Sequence, residues 1–495
     1  MRKKDKKPNI IIFNPDQWRG EALGHAGNKS VNTKNIDELV KTDGVSFVNA
    51  FCQGTVCTPS RCSFMSGWYP HVRGHRTMNH MMRPDEPVLL KTLKNNGYYV
   101  WWGGKNDLVP GQGSYEKYCD VMYKPDKNVE PHIPNENKWR KEKKGTDEYY
   151  SFYIGERKIK SGQSYYDSDT ANVLGAVDFI KNYSGDKPFC VFLPLENPHP
   201  PCIIEEPWYG RRNAKDVPVR IPTIKDWSRK PAMLKEIFKK QGLSGWTEER
   251  FKELRAVYYA MCSRVDHQFG LVLEALKNKK IYDDTAVFLF SDHGDFTGDY
   301  GIVEKTQNTF EDVLTRVPFI IKPPKNIPVK SGIKEGMVEL VDFSATVEEI
   351  CNIKPGHWHF GRSLVPLITG KKTEHRDAVF CEGGRLHGEK HCMELESRSS
   401  SDKEGYYWPR LQAQRKEGPE HTKAIMCRTK DYKYVMRLYE SDELYDLKKD
   451  PQEMDNRIKD KSYEKVILIM KDRLLKHYIE TCDVVPFDAD KRWFS

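Results

Sequence analysis

The chain has 495 residues, with 80 Lys and Arg against 71 Asp and Glu and a formal charge of +9; at roughly 150 residues per domain this is about three units, or one large α/β fold that absorbs most of them. The excess charge suits an anionic substrate but is too dilute over this length for a nucleic-acid binder. Hydrophobic residues at 38% and aromatics at 12% exclude wholesale disorder, and no run of about 18 apolar residues offers a membrane-spanning helix.

Met1 to Lys7 is basic, but the apolar run behind it is only Ile10-Ile11-Ile12-Phe13. That is too short for the core of a signal peptide, so a cytoplasmic location is expected. Twelve cysteines are scattered without a Cys-x-x-Cys pair, which predicts reduced, mostly buried thiols and no cysteine-built zinc site.

Asn9 to Phe13 predicts a fully buried parallel strand. Similar runs follow at Tyr98–Trp102, Phe189–Leu193, Val287–Phe290 and Val317–Ile321. The first four end in polar clusters: Asp16-Gln17, Lys105, Asn197-Pro198-His199, and Ser291-Asp292-His293. In α/β sheets the chemistry lies beyond the carboxyl ends of the strands, so these clusters are expected to meet in one cleft. Apolar periodicity predicts helices over Thr170–Tyr183 and Glu249–Lys277. The segments Lys124–Gly162 and Glu205–Gly245 read as irregular. Beyond about Gly370 a strand at Ala378–Cys381, a polar stretch over Glu394–Gly418, a strand pair around Lys430-Asp431 and a helix from Tyr463 to Tyr478 predict a smaller α+β unit. The expected fold class is thus α/β, a large mostly parallel sheet sandwiched by helices over residues 1–375, with a C-terminal α+β subdomain over 376–495.

The most specific pattern is Cys57-Thr58-Pro59-Ser60-Arg61, continuing to Ser66-Gly67. An intracellular Cys is ordinarily an inert core residue. Here Pro59 and Ser60 can open a helix, whose N-terminus favours negative charge at Cys57. The pattern resembles the sulfatase signature C-x-P-S-R, and similarity to the sulfatase branch of the alkaline phosphatase superfamily extends from Pro8-Asn9-Ile10 through Ser291-Asp292-His293-Gly294-Asp295 to Leu444-Tyr445-Asp446. Ser66 stands where the family commonly has Thr. The resemblance implies that Cys57 is oxidised to formylglycine by a formylglycine-generating enzyme. In the hydrated aldehyde one hydroxyl attacks sulfur, and the other ejects sulfate and restores the aldehyde.

The resemblance also implies a metal held by Asp16, Gln17, Asp292 and His293 beside residue 57. Gln17 replaces a second Asp, which removes one negative charge. Oxygen-rich donors suit calcium; magnesium, manganese and zinc remain open because of the His. Arg61, Lys105, His199 and Lys305 match family residues of the sulfate pocket, and Gly103-Gly104 before Lys105 permit close backbone approach. Asp107 stands where family members often have the His credited with deprotonating the diol, and a carboxylate of ordinary pKa is a weak base there.

Arg73, His75 and Arg76 follow the signature closely and are expected to bind a second anionic group, such as a sugar carboxylate. A solvated basic turn is an equal reading of the same residues. Glu382, Arg385, His387 and His391 are weaker candidates. The function these features imply is hydrolysis of sulfate esters on sulfated sugars such as glycosaminoglycan fragments, a uronate 2-O-sulfate among them, with aryl sulfates also possible substrates. A phosphonate monoester or phosphodiester hydrolase is the alternative suggested by Asp16-Gln17. An inactive anion-binding homologue is disfavoured by the intact signature. The expected partners are a small anionic sulfated substrate and the maturation enzyme, with no nucleic acid and no membrane.

Overall fold

The computed structural model describes residues 7–125, 146–159, 165–394, 405–415 and 418–493. Its centre is an eight-stranded sheet. In chain order the strands are β1 (Asn9–Asn14), β2 (Val45–Phe47), β3 (Tyr99–Gly103), β4 (Val121–Tyr123), β5 (Phe189–Pro194), β6 (Thr285–Phe290), β7 (Phe319–Lys322) and β8 (Gly332–Lys334). They lie side by side as β8-β2-β7-β6-β1-β5-β3-β4. Only β7 runs against its neighbours, pairing antiparallel with both β6 and β2. The register sets Ile12 beside Phe192 on one side and Phe288 on the other.

Both faces of this sheet are covered, which is why β1 reads as an unbroken apolar run. Ile10 and Ile12 point into one core with Phe64, Phe290 and Phe343. Ile11 and Phe13 point into the other, under α2 (Ser168–Asn182) and α3 (Glu248–Asn278). The signature lies on α1 (Cys57–Ser66), a wholly buried helix that ends at Gly67 in the left-handed region, φ 71°. A four-stranded antiparallel sheet, β9 (Val379–Gly383) to β12 (Glu443–Asp446), carries the C-terminal helix α4 (Glu464–Thr481).

The expected strand over Val317–Ile321 is two pieces. Pro318 cannot donate to a ladder. Arg316–Val317 therefore pairs with Ala50–Phe51, and the chain joins the main sheet only from Phe319. The segment read as irregular over Glu205–Gly245 contains a helix, Ala232–Gln241, capped by Gly242 at φ 69°. Its apolar stripe, Met233, Leu234 and Ile237, is interleaved with lysines and glutamate, which hid it. Residues 126–145 and 160–162 of the other irregular reading, and residues 395–404 and 416–417 of the polar stretch, lie outside the described residues. Eleven of the twelve cysteines are buried and all are unpaired. Among the described residues no helix is long and apolar enough to cross a membrane.

Candidate active site

Strands β6, β1, β5 and β3 are consecutive and parallel, so their carboxyl ends share one edge. There Asp292 and His293, Asp16 and Gln17, His199, and Lys105 come together as the strand-end rule requires. The close approach predicted before Lys105 is present at Gly104. Its φ is 128°, and a Cβ would lie 2.2 Å from the Pro194 carbonyl oxygen. The same turn lets the Lys105 amide donate to Pro194 O at 2.8 Å.

Cys57 occupies the first turn of α1. Its Sγ lies 3.3 Å from His293 Nε2, 3.6 Å from Asp16 Oδ1 and 3.6 Å from Lys105 Nζ. One ligating atom from each of Asp16, Cys57, Asp292 and His293 falls within 4.8 Å of the others. Arg61, four residues further along α1, is buried behind them. Its guanidinium donates to Asn14 Oδ1 at 2.8 Å, Asp16 Oδ2 at 3.0 Å and Asp292 Oδ2 at 3.0 Å. Lys105 Nζ adds a 2.6 Å bond to Asp16 Oδ2. Both carboxylates thus spend Oδ2 on cations; Asp16 Oδ1 faces residue 57, while Asp292 Oδ1 accepts from the Gln17 amide at 3.1 Å and the His293 amide at 3.0 Å.

His293 Nδ1 lies 2.9 Å from the Gly294 carbonyl. A carbonyl only accepts, so Nδ1 carries the hydrogen and the Nε2 lone pair faces the carboxylates. Two carboxylate oxygens and an imidazole lone pair converging on one point fit a divalent cation. Gln17 stands beside this group. Lys305 Nζ donates to its Oε1 at 2.7 Å, and its Nε2 donates to Asp295 Oδ2.

The charges follow from these contacts. Against the cost of burial, Lys105 and the other surrounding cations hold Asp16 well below the usual carboxylate range. Burial, then Asp16, pushes the Cys57 thiol up, so the unmodified residue is a poor thiolate nucleophile. Burial, then Lys305, lowers His199. Its Nδ1 donates to Pro200 O at 2.6 Å, and Nε2 accepts from Lys305 Nζ at 2.9 Å. Asp107 lies 2.9 Å from Lys105 Nζ.

These groups open into a cavity of about 740 Å³. Cys57, Lys105, Asp107, His199 and Lys305 line it. Arg73, His75 and Arg76 are not among the lining residues, and each has a carboxylate partner. Arg73 Nε donates to Glu86 at 3.1 Å, His75 Nε2 lies 2.9 Å from the same carboxylate, and Arg76 donates to Glu389 at 2.6 Å and Gly384 O at 2.8 Å. The weaker candidates also lie elsewhere. Glu382 binds His71 at 2.6 Å, Arg385 donates to Gln414 O, His387 stacks on Tyr439, and His391 faces His80.

The cavity wall includes residues the sequence reading passed over, among them Arg157, Tyr165, Asp167, Glu196 and Tyr407. Glu196 carried a usable signal, standing one residue before Asn197-Pro198-His199 beyond the end of β5. Burial and the nearby Asp169 push it up to about 7. Arg157 comes from a segment read only as irregular, and Tyr407 from one read only as polar.

The chain belongs to the sulfatase family, within the alkaline phosphatase superfamily: the family model "Sulfatase" matches residues 8–353. A second model, "N-sulphoglucosamine sulphohydrolase, C-terminal", matches residues 384–480. Membership makes the protein a sulfuric ester hydrolase. It is 25% identical to an arylsulfatase of Clostridium perfringens over 95% of this chain and 94% of that one. It is also 25% identical to a delta 4,5-hexuronate-2-O-sulfatase of Bacteroides thetaiotaomicron, covering 93% of this chain and 87% of the relative. The phosphonate monoester hydrolase of Agrobacterium radiobacter shares the fold, with a TM-score of 0.74 and 22% identity over 96% of each chain.

Proposed function

We propose that the protein hydrolyses sulfate esters of small sulfated sugars, and of aryl groups, using a formylglycine made from Cys57 and a divalent cation, calcium by expectation. One observation carries this reading. Cys57 meets Asp16, His293 and Lys105 at the floor of a cavity of about 740 Å³, a size that suits a small ligand. The names of the sugar sulfatases among the relatives support the substrate class.

Asp16, Gln17, Asp292 and His293 would hold the cation, which polarises sulfate oxygens and favours an ionised oxygen at residue 57. The hydrated aldehyde supplies a geminal diol, one hydroxyl for attack and one for release of sulfate. Arg61 fixes both carboxylates through hydrogen bonds from its guanidinium. Lys105 and Lys305 present ammonium groups to the sulfate oxygens, where charge develops as the ester bond breaks. His199 meets the leaving oxygen at Nε2, because Nδ1 is committed to Pro200 O. Asp107 braces Lys105 against Asp16.

The test is a rate comparison across sulfated disaccharides, an aryl sulfate and a phosphonate monoester, with peptide mass analysis of residue 57. Faster sulfate turnover with an aldehyde at 57 is expected. Full activity with an intact thiol would refute the mechanism. A phosphonate turned over faster than every sulfate would favour the second reading, phosphonate monoester hydrolysis, for which Gln17 in place of Asp is the supporting observation.

A further inference from the structure

Three carboxylates line the cavity: Asp107, Asp167 and Glu196. Asp107 is paired with Lys105 at 2.9 Å, and Asp167 with Arg264 at 2.7 Å. Glu196 differs. Its side chain opens onto the cavity and makes no hydrogen bond or ion pair with any described residue, while its backbone is firmly held. The Glu196 amide donates to Asp169 Oδ1 at 2.8 Å, and its carbonyl accepts from the His199 amide at 2.9 Å. The other oxygen of Asp169 accepts from Asn197 N at 2.8 Å and Nδ2 at 2.7 Å. The loop that carries His199 therefore also presents Glu196, at a fixed place, with its acceptor atoms unused.

The Glu196 carboxylate is exposed and hydrated in the free enzyme, and a donor on a bound substrate would take the place of that water. The donor cannot be the sulfate, which is all acceptor and belongs to Lys105, Lys305 and His199. It must come from the rest of the substrate. A sugar ring supplies such donors as hydroxyl or ammonium groups beside the ester. An aryl ring does not, and a uronate carboxylate set there would be repelled.

We propose that Glu196 is a specificity-determining residue that accepts a hydrogen bond from a donor group on the sulfated sugar, an ammonium being the best match, so that sulfated amino sugars are the preferred substrates. This rests on the sulfated-sugar reading above. A charge-assisted bond in this setting is worth roughly 1.5–3 kcal/mol, about ten- to a hundredfold in binding.

The test uses the mature, metal-loaded enzyme and its variants Glu196→Gln and Glu196→Leu. The substrates are a sulfated glucosamine with a free amine, the matching sulfated glucose, and 4-nitrophenyl sulfate. Gln keeps an acceptor but loses the charge. Glu196→Gln should therefore raise KM for the amino sugar about ten- to a hundredfold and spare the neutral sugar. Glu196→Leu should raise KM for both sugars. Turnover of 4-nitrophenyl sulfate should stay within about twofold throughout, which also reports that the variants fold. Equal losses on all three substrates, or none on the sugars, would overturn the proposal while leaving the sulfated-sugar reading intact. If the parent enzyme cleaves the aryl sulfate but neither sugar, the sugar reading fails, and the role of Glu196 with it.

Discussion

Lys305→Met separates the electrostatic role of the cavity from its structural one. Lys305 is 2% exposed. Its Nζ donates to Gln17 Oε1 at 2.7 Å and His199 Nε2 at 2.9 Å, and lies 3.2 Å from Glu304 Oε1. Methionine keeps most of the stem and removes the charge. Two acceptors then lose a donor, at roughly 1–3 kcal/mol each. Glu304 keeps Arg410 at 3.0 Å, and the cost of burying an ammonium disappears. The net change in stability should therefore stay within about 2 kcal/mol. The rate has no such compensation. A lost charge-assisted contact to the reacting sulfate, roughly 1.5–3 kcal/mol, lowers kcat/KM about ten- to a hundredfold. The pH profile should move as well. Burial lowers His199, and the Lys305 ammonium lowers it further. Without Lys305 the imidazole takes up a proton more readily, so the alkaline limb set by loss of the His199 proton shifts to higher pH. Aryl sulfate kinetics from about pH 5 to about pH 9, the range in which histidine titrates, and a thermal melt check all three outcomes. A rate within about twofold of the parent, or a rate loss matched by an equal loss of stability, would refute the reasoning.

Glu86→Gln should destabilise the fold by roughly 2 kcal/mol at neutral pH, because His75 and Arg73 outweigh burial and hold Glu86 down to about 2; the figure is discounted for the 42% exposure of Arg73. A depressed carboxyl stabilises above its unfolded pKa and loses that contribution as pH falls through the folded one, so denaturant titrations of parent and variant should converge only below about pH 2. Arg76→Ala should slow a carboxylated sugar sulfate and an aryl sulfate alike and only slightly, since Arg76 is bound to Glu389 and Gly384; a selective loss on the carboxylated sugar would restore it as a substrate contact. Exhaustive chelation should lower both activity and melting temperature, with calcium restoring them in the parent but not in Asp292→Ala; unchanged activity with metal analysis showing none bound would contradict the cation site.

The groups nearest residue 57 were legible because each follows a buried strand, and parallel strands bring their carboxyl ends to one edge. Gly104 was legible because only glycine tolerates the approach to Pro194. The substrate wall was less so. Arg73, His75 and Arg76 form a basic cluster in sequence, but Glu86 and Glu389 take them up, the second 313 residues along the chain from Arg76. Sequence reports the charge of a side chain, not whether a carboxylate distant along the chain has already neutralised it. Arg157 and Tyr407 reach the cavity from outside the strand-end pattern. The helix Ala232–Gln241 was obscured because its stripe is narrow and its other residues are charged.

Gln17 shows how a departure from a family pattern follows from its surroundings. Its φ of 68° is unusual for a residue with a side chain and costs on the order of 1–3 kcal/mol. The backbone is held there by a bond from its amide to Asp292 Oδ1 at 3.1 Å and one from Tyr258 Oη to its carbonyl at 2.8 Å. The side chain lies between an ammonium, Lys305, and a carboxylate, Asp295. An amide satisfies both neighbours, accepting through oxygen and donating through nitrogen. An aspartate in this place would satisfy Lys305 and repel Asp295, which burial and Glu304 already push up to about 6. Asp295 thus makes Gln17 the better residue. The replacement leaves Asp16 and Asp292 as the two charged carboxylates among the four residues that would hold the cation.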